Sequence, residues 1–195
     1  MLLRRCGTDA LLVEVDSLTE VAAVRAALQG LPGIEELVPA ARTVLVKGAL
    51  TEVRKVLEDV DLTEVPAAHP REVTIPVTYD GPDLDLVART AGITPDEVVK
   101  LHTQASYEVA FCGFAPGFGY LTGLPEVLRQ PRLDSPRTKV PRGSVGIAGE
   151  FTAAYPRATP GGWRLIGRTE ITLFDPGAET PALLQPGDLV RFVVA

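Results

Sequence analysis

The stretch Phe111-Cys-Gly-Phe-Ala-Pro-Gly-Phe-Gly-Tyr-Leu-Thr-Gly-Leu-Pro125 interleaves aromatics at 111, 114, 118 and 120 with glycines at 113, 117, 119 and 123. Glycine lets a backbone approach a ligand or take positive φ, and aromatic rings supply apolar walls. Two readings fit: a tight hairpin whose rings are core, or a loop that faces a ligand or partner. A second stretch, Pro136-Arg-Thr-Lys-Val-Pro-Arg-Gly-Ser-Val-Gly-Ile-Ala148, sets Arg137, Lys139 and Arg142 beside Gly143, Ser144 and Gly146. Guanidinium groups grip carboxylates or phosphates bidentately, and glycine leaves N–H groups free to help. The bland alternative is a solvated basic loop. A third stretch, Tyr155 to Arg168, holds the chain's one Trp, Trp163, after Pro160-Gly161-Gly162 and among further arginines.

Other chemistry finds little support. Cys112 and His102 are the one Cys–His combination worth weighing. Cys112 lies in an apolar run, whereas a reactive thiolate needs an electropositive, accessible site. His102 falls near the end of an expected helix, where a cation is favoured by the helix dipole alone. Ser144 lacks a Gly-x-Ser-x-Gly elbow. Gly117, Gly119 and Gly123 do not make a dinucleotide fingerprint, and no phosphate-binding P-loop is present. No metal-ligand spacing occurs, and two cysteines, Cys6 and Cys112, cannot build a disulfide framework.

Charge is segregated. The 195 residues carry a net charge of −6, which argues against nucleic acid or an anionic membrane as partner. Yet residues 129–168 hold eight cations, at positions 129, 132, 137, 139, 142, 157, 164 and 168, against only Asp134 and Glu150. A small anion belongs there if anywhere. No apolar run reaches the ~18 residues of a membrane span, and the N-terminus lacks a signal-peptide core, so the expected compartment is the cytoplasm.

The elements that must position these residues fall into two groups. Ala10–Val15 reads as a strand. Ser17-Leu-Thr-Glu20 is a capping box opening a helix that Pro32-Gly33 stops. Residues 34–38 and 43–46 read as strands, 50–60 as a helix and Glu72–Val77 as a strand. The order is βαββαβ, a ferredoxin-like pattern, although Glu72–Val77 could instead open the next domain. Glu64–Pro70, with two prolines, reads as a linker and contains His69. Helices follow at 83–90 and 95–103, with Asp83 and Thr94 as N-caps and Pro95 at the first helical position. Beyond Tyr107, short apolar runs broken by Gly and Pro (107–111, 143–148, 163–166, 171–174, 188–194) predict a β barrel or sandwich.

Several separated motifs resemble one family. Gly113-Phe-Ala-Pro-Gly-Phe118, Ser135-Pro-Arg137, Gly143-Ser-Val-Gly-Ile-Ala148 and Thr159-Pro-Gly-Gly-Trp-Arg-Leu-Ile-Gly-Arg-Thr169 are similar to the family of 5-oxoprolinase B subunits, also called the KipI or allophanate hydrolase subunit 1 family. Thr74–Tyr79, Gly81–Leu84, His102-Thr103 and Leu184–Phe192 fit the same pattern. Two departures lie in loops: a short Tyr79–Leu84 turn, and Gly119 where proline is frequent. The resemblance implies an α+β chain with a ferredoxin-like domain at 1–68 and a cyclophilin-like barrel at 69–195.

It further implies one subunit of an ATP-dependent 5-oxoprolinase, which opens a cyclic amide to give L-glutamate. ATP, with Mg2+, would be co-substrate of a complex with the A and C subunits, with no prosthetic group and no metal of this chain's own. An unstrained lactam is a poor electrophile, so phosphorylating its oxygen would create a good leaving group. The protein's part would be positioning and charge stabilisation. On this reading His102, Arg137, Lys139 and Arg142 serve the chemistry. Phe114, Pro116, Gly117, Phe118, Tyr120, Ser144, Pro160, Gly161, Gly162 and Trp163 line the site or the joint with the C subunit. The alternative is a binding module, since some family members inhibit a sensor histidine kinase. Peptidyl-prolyl isomerisation would rest on barrel analogy alone.

Overall fold

The computed structural model describes residues 1–63 and 70–195. The expected linker at 64–70 and His69 thus lie almost wholly outside the described residues. The chain is a mixed α/β protein with four α-helices and several sheets among the described residues, and it divides into two compact units, Met1–His69 and Pro70–Ala195.

In the first unit β1 (Leu2–Cys6), β2 (Ala10–Glu14), β3 (Glu36–Pro39) and β4 (Thr43–Lys47) form an antiparallel sheet of order β1-β2-β4-β3. Leu11, Val13, Val44 and Val46 point to one face and are fully buried, as the period of two demands. Helices α1 (Leu18–Leu28) and α2 (Leu50–Glu58) cover them with Val21, Val24, Leu28, Val53 and Leu57. Ser17 caps α1, its hydroxyl accepting the Glu20 N–H at 3.2 Å. Of the two places left open for Glu72–Val77 the structure takes the second, opening the next unit, and an N-terminal hairpin strand, β1, occupies the edge beside β2 instead. The charged Arg4-Arg5 pair masks the strand character of β1 in the sequence.

Glu72–Val77 is β5 of the second unit. It pairs in parallel with β13 (Leu189–Val194), at one edge of a seven-stranded sheet. The sheet continues through β6 (Tyr107–Cys112), β7 (Gly119–Thr122), β10 (Phe151–Ala154), β9 (Ser144–Ala148) and β12 (Arg164–Arg168). Thr78, next after β5, exchanges backbone hydrogen bonds with Arg168 at 2.8 and 2.9 Å. The two edges thereby meet and the sheet is a nearly closed barrel. A separate ribbon pairs β8 (Arg137–Val140) with β11 (Thr159–Gly161). Helices α3 (Leu84–Ala91) and α4 (Pro95–Gln104) pack on the barrel, and Thr94 and Glu97 form a complete capping box on α4. The expected strand at 171–174 is absent apart from a single bridge between Phe174 and Ala182. Its apolar residues pack a loop instead: Leu173 is buried, and its carbonyl accepts the Leu183 N–H at 3.0 Å.

Candidate functional site: an aromatic wall with a braced arginine

Rings from three strands and the loops beside them form one continuous wall. Phe111 on β6 stacks on Tyr120 of the paired β7, with centroids 4.4 Å apart. Phe151 on β10 meets both edge-on at 5.7 Å. Tyr120 passes the contact to Phe118 (5.0 Å) and Trp163 (5.7 Å), and Phe118 reaches Tyr155 (5.2 Å), Trp163 (5.6 Å) and Phe114 (5.3 Å). Such edge-to-face geometry suits ring quadrupoles and adds to the burial energy. Phe118, Tyr155 and Trp163 are buried, whereas Phe114 is 58% exposed. Gly117 locks the loop: its φ is +79°, and a Cβ would lie 2.7 Å from Phe174 Cβ and 2.8 Å from Leu173 O.

Arg137 stands at this wall. Asp83 braces it: one carboxylate oxygen accepts the Arg137 guanidinium at 2.7 Å, and the other accepts the Leu165 N–H at 2.7 Å. Arg137 also donates to Trp163 O at 3.4 Å. Asp83 therefore does not cap α3 through its side chain, which corrects the sequence expectation. A buried carboxylate must be paired, and here the pairing fixes a guanidinium. Gly161, opposite Arg137 across the ribbon, leaves space for the Tyr155 hydroxyl, which a Cβ would approach to 2.8 Å.

Burial pushes the Tyr155 hydroxyl up to about 12, with Tyr120 adding and Arg132, Arg137 and the Trp163 backbone opposing. Tyr120 shifts upward for the same reason, opposed by Arg132. Both hydroxyls are protonated at neutral pH. Thr159, also on the ribbon, keeps a buried hydroxyl with no partner. The patch therefore offers the Arg137 guanidinium and two phenol O–H donors beside apolar rings. Such a set accepts a small anion with a flat or apolar body.

His102 lies elsewhere. It is fully buried on α4, against Tyr79, Tyr107 and Phe192. Its Nδ1 is 2.7 Å from the Tyr79 hydroxyl and its Nε2 is 3.0 Å from Thr152 Oγ1. Thr152 donates its own hydroxyl proton to Gly146 O. It must then accept from Nε2–H, which leaves Nδ1 to accept from Tyr79. Burial holds the imidazole neutral, with its pKa lowered to about 3, and pushes the Tyr79 hydroxyl up. Both ring nitrogens are occupied, so in this geometry His102 ties α4 to β10 rather than facing a ligand.

The structure thus brings together Arg137, Phe114, Gly117, Phe118, Tyr120, Gly161 and Trp163. Pro116 is exposed beside Phe114, and Pro160 is exposed on the ribbon. Gly162 backs onto Pro136. Lys139 is exposed, Arg142 donates to Thr172 Oγ1 at 3.1 Å, and Ser144 is buried in β9 opposite Arg168. Sequence reasoning did not single out Asp83, Arg132 or Tyr155 for the site. Tyr155 opens the third motif stretch, so its aromatic type was a usable signal. Asp83 reads as a helix cap, and its salt bridge spans 54 positions. Among the described residues no group of three or more His, Cys, Asp or Glu could hold a metal ion, and no helix is long and apolar enough to cross a membrane.

Known proteins share this architecture. Residues 1–184 match the family described as carboxyltransferase domain, subdomain C and D. The B subunit of 5-oxoprolinase from Escherichia coli O157:H7 is 45% identical over 175 residues, covering 85% of this chain and 80% of that protein. The B subunit of 5-oxoprolinase from Bacillus subtilis (strain 168) is 40% identical over 200 residues, covering 92% and 83%. The crystal structure of TTHA0988 superposes with a TM-score of 0.83 at 34% identity, covering 96% of this chain. This chain spans only 40% of that one. The chain therefore belongs to the carboxyltransferase-domain (subdomain C and D) family, alongside the 5-oxoprolinase B subunits.

Proposed function

We propose that this chain is the B subunit of an ATP-dependent 5-oxoprolinase, working in the cytoplasm with the A and C subunits to convert 5-oxo-L-proline, ATP and water into L-glutamate, ADP and phosphate. We further read residues 1–68 as a ferredoxin-like domain, with β1 standing in for its last strand, and 69–195 as a cyclophilin-like barrel. The observation that carries the functional reading is Arg137, braced by Asp83 against the aromatic wall. Arg137 and Arg132 bind the substrate carboxylate, and the Tyr120 and Tyr155 hydroxyls donate to its oxygens. The rings of Phe118 and Trp163 lie beneath the five-membered ring and exclude water, which strengthens each charged contact. ATP, held with Mg2+ by the complex, supplies the phosphoryl group that activates the lactam. Lys139 and Arg142, on the segment that follows Arg137, add to the positive field that attracts the anion. This chain has no complete catalytic set of its own among the described residues, so turnover requires its partners.

The test is 5-oxoproline-dependent ATP hydrolysis by the reconstituted A, B and C subunits. Arg137→Gln loses a charge-assisted contact worth roughly 1.5–3 kcal/mol, so kcat/KM falls about 10- to 100-fold, mostly through KM. Unchanged kcat/KM removes Arg137 from the site. Absence of lactam-dependent ATPase with the wild-type chain removes the oxoprolinase reading.

A further inference from the structure

Trp163 is held through both of its chain neighbours by one short segment. Ahead of it, the Gly162 carbonyl accepts the Leu133 N–H at 2.7 Å. Behind it, the Arg164 guanidinium donates to Gln130 Oε1. One residue further, the Leu165 N–H goes to Asp83 at 2.7 Å, and Asp83 also holds Arg137. Gln130 is the buried member of this frame, only 4% exposed. Its Nε2 donates to Val87 O at 2.8 Å, and its backbone carbonyl accepts the Gly149 N–H at 2.7 Å. It therefore ties α3 and the β9–β10 turn to Arg164. An amide suits this place, because its oxygen meets a guanidinium donor while its nitrogen meets a carbonyl acceptor.

Arg164 depends on that tie. Among the described residues its guanidinium bonds only neutral groups, Gln130 Oε1 and, at 3.0 Å, Thr90 Oγ1, and its buried Nε has no partner. Thr90 lies in the last turn of α3, where the helix dipole favours a cation. Thr90 is exposed, so the buried Gln130 is the firm contact. Gly162 and Trp163 themselves fall between β11 and β12 and pair with neither ladder. The bonds on either side of Trp163 therefore set where it stands.

We propose that Gln130 is a positioning residue of the anion site: through Arg164 it fixes Trp163, whose carbonyl accepts from Arg137 at 3.4 Å and whose ring meets Phe118 and Tyr120. The inference deepens the oxoprolinase reading above and rests on it. Groups that bind a small ligand must be held to about 0.5 Å by the residues behind them, and Gln130 is such a residue here.

The experiment compares wild type, Gln130→Met, Arg164→Met and the double variant in two ways. One is 5-oxoproline-dependent ATP hydrolysis by the reconstituted A, B and C subunits. The other is fluorescence and thermal unfolding of the chain alone, in which Trp163 is the one tryptophan. Each single variant raises KM for the lactam about five- to tenfold with kcat within about twofold, less than loss of a direct charged contact would cost. The double variant raises it no further, because both singles break the same link. In all three, Trp163 emission moves to longer wavelength and acrylamide quenches it more readily. Arg164→Met breaks the link from its partly buried side, so it decides the matter should Gln130→Met not fold. A lower melting temperature with KM and Trp163 emission unchanged makes the frame structural only and overturns the proposal. Additive rises in KM overturn the route through Arg164. If wild type turns over and the variants match it, Gln130 alone is set aside and the oxoprolinase reading stands. If the wild-type complex has no lactam-dependent ATPase, both fall.

Discussion

Asp83 shows how one side chain can do two jobs at a distance in sequence. It satisfies the Leu165 N–H and holds the Arg137 guanidinium, both at 2.7 Å. Its own side chain is nearly buried while that of Arg137 is 28% exposed, so the pair lies at the edge of the core. Asp83→Ala strands a buried N–H and a guanidinium, and unfolding in urea should show a loss of roughly 2–3 kcal/mol. Asp83→Asn keeps an acceptor but not the charge. It should retain most of that stability while KM for the lactam in the reconstituted complex rises several-fold at similar kcat. A KM that does not move would make Asp83 structural only. Asp83 was legible as a helix start because Asp precedes an apolar helical period. Its bond to Arg137 was not legible, because nothing local marks a partner 54 positions away.

At the scale of elements, the motif Gly113–Phe118 reads in the sequence as either core or binding loop, and the structure buries one of its rings and exposes the other. Phe118 is buried, Phe114 is exposed, and Gly117 decides which is which. With φ +79° and no room for a methyl group against Leu173 and Phe174, Gly117→Ala should destabilise the protein by about 2–4 kcal/mol. Loss of near-ultraviolet aromatic dichroism would accompany it as the wall around Trp163 loosens. An unchanged midpoint and spectrum would show that the loop repacks freely. The starts of the capped helices were legible to the residue, since Ser17 and Thr94 with their glutamates are local signals, whereas α1 ends at Leu28, short of the Pro32-Gly33 stop. Strands β7, β8, β10 and β11 were not, being three or four residues long and set among Gly and Pro. Their strand character comes from neighbours that supply hydrogen bonds.

For the whole molecule, His102 links folding to pH. Unfolded, the imidazole titrates at its ordinary value of 6.5; folded, burial among Tyr79, Tyr107 and Phe192 lowers it to about 3. Below pH 6.5 the unfolded chain binds a proton that the folded chain refuses. Stability therefore declines as pH falls from 6.5 toward 3, by up to about 1.4 kcal/mol per unit from this group. The wild-type minus His102→Gln difference in unfolding free energy should shrink across that window, and a constant difference would refute the linkage. What the sequence determined by itself is everything carried by local pattern and composition: the capped helix starts, a β-rich second half, and a basic, aromatic region inside an acidic chain. The family resemblance was also written in contiguous motifs. What only the tertiary structure decided is which of those cations and rings meet. Arg137 joins the wall and Arg142 goes to Thr172. His102 is enclosed, and Thr78 closes the barrel on Arg168. Those outcomes depend on pairing between elements far apart in sequence, and local residue spacing does not name the partner.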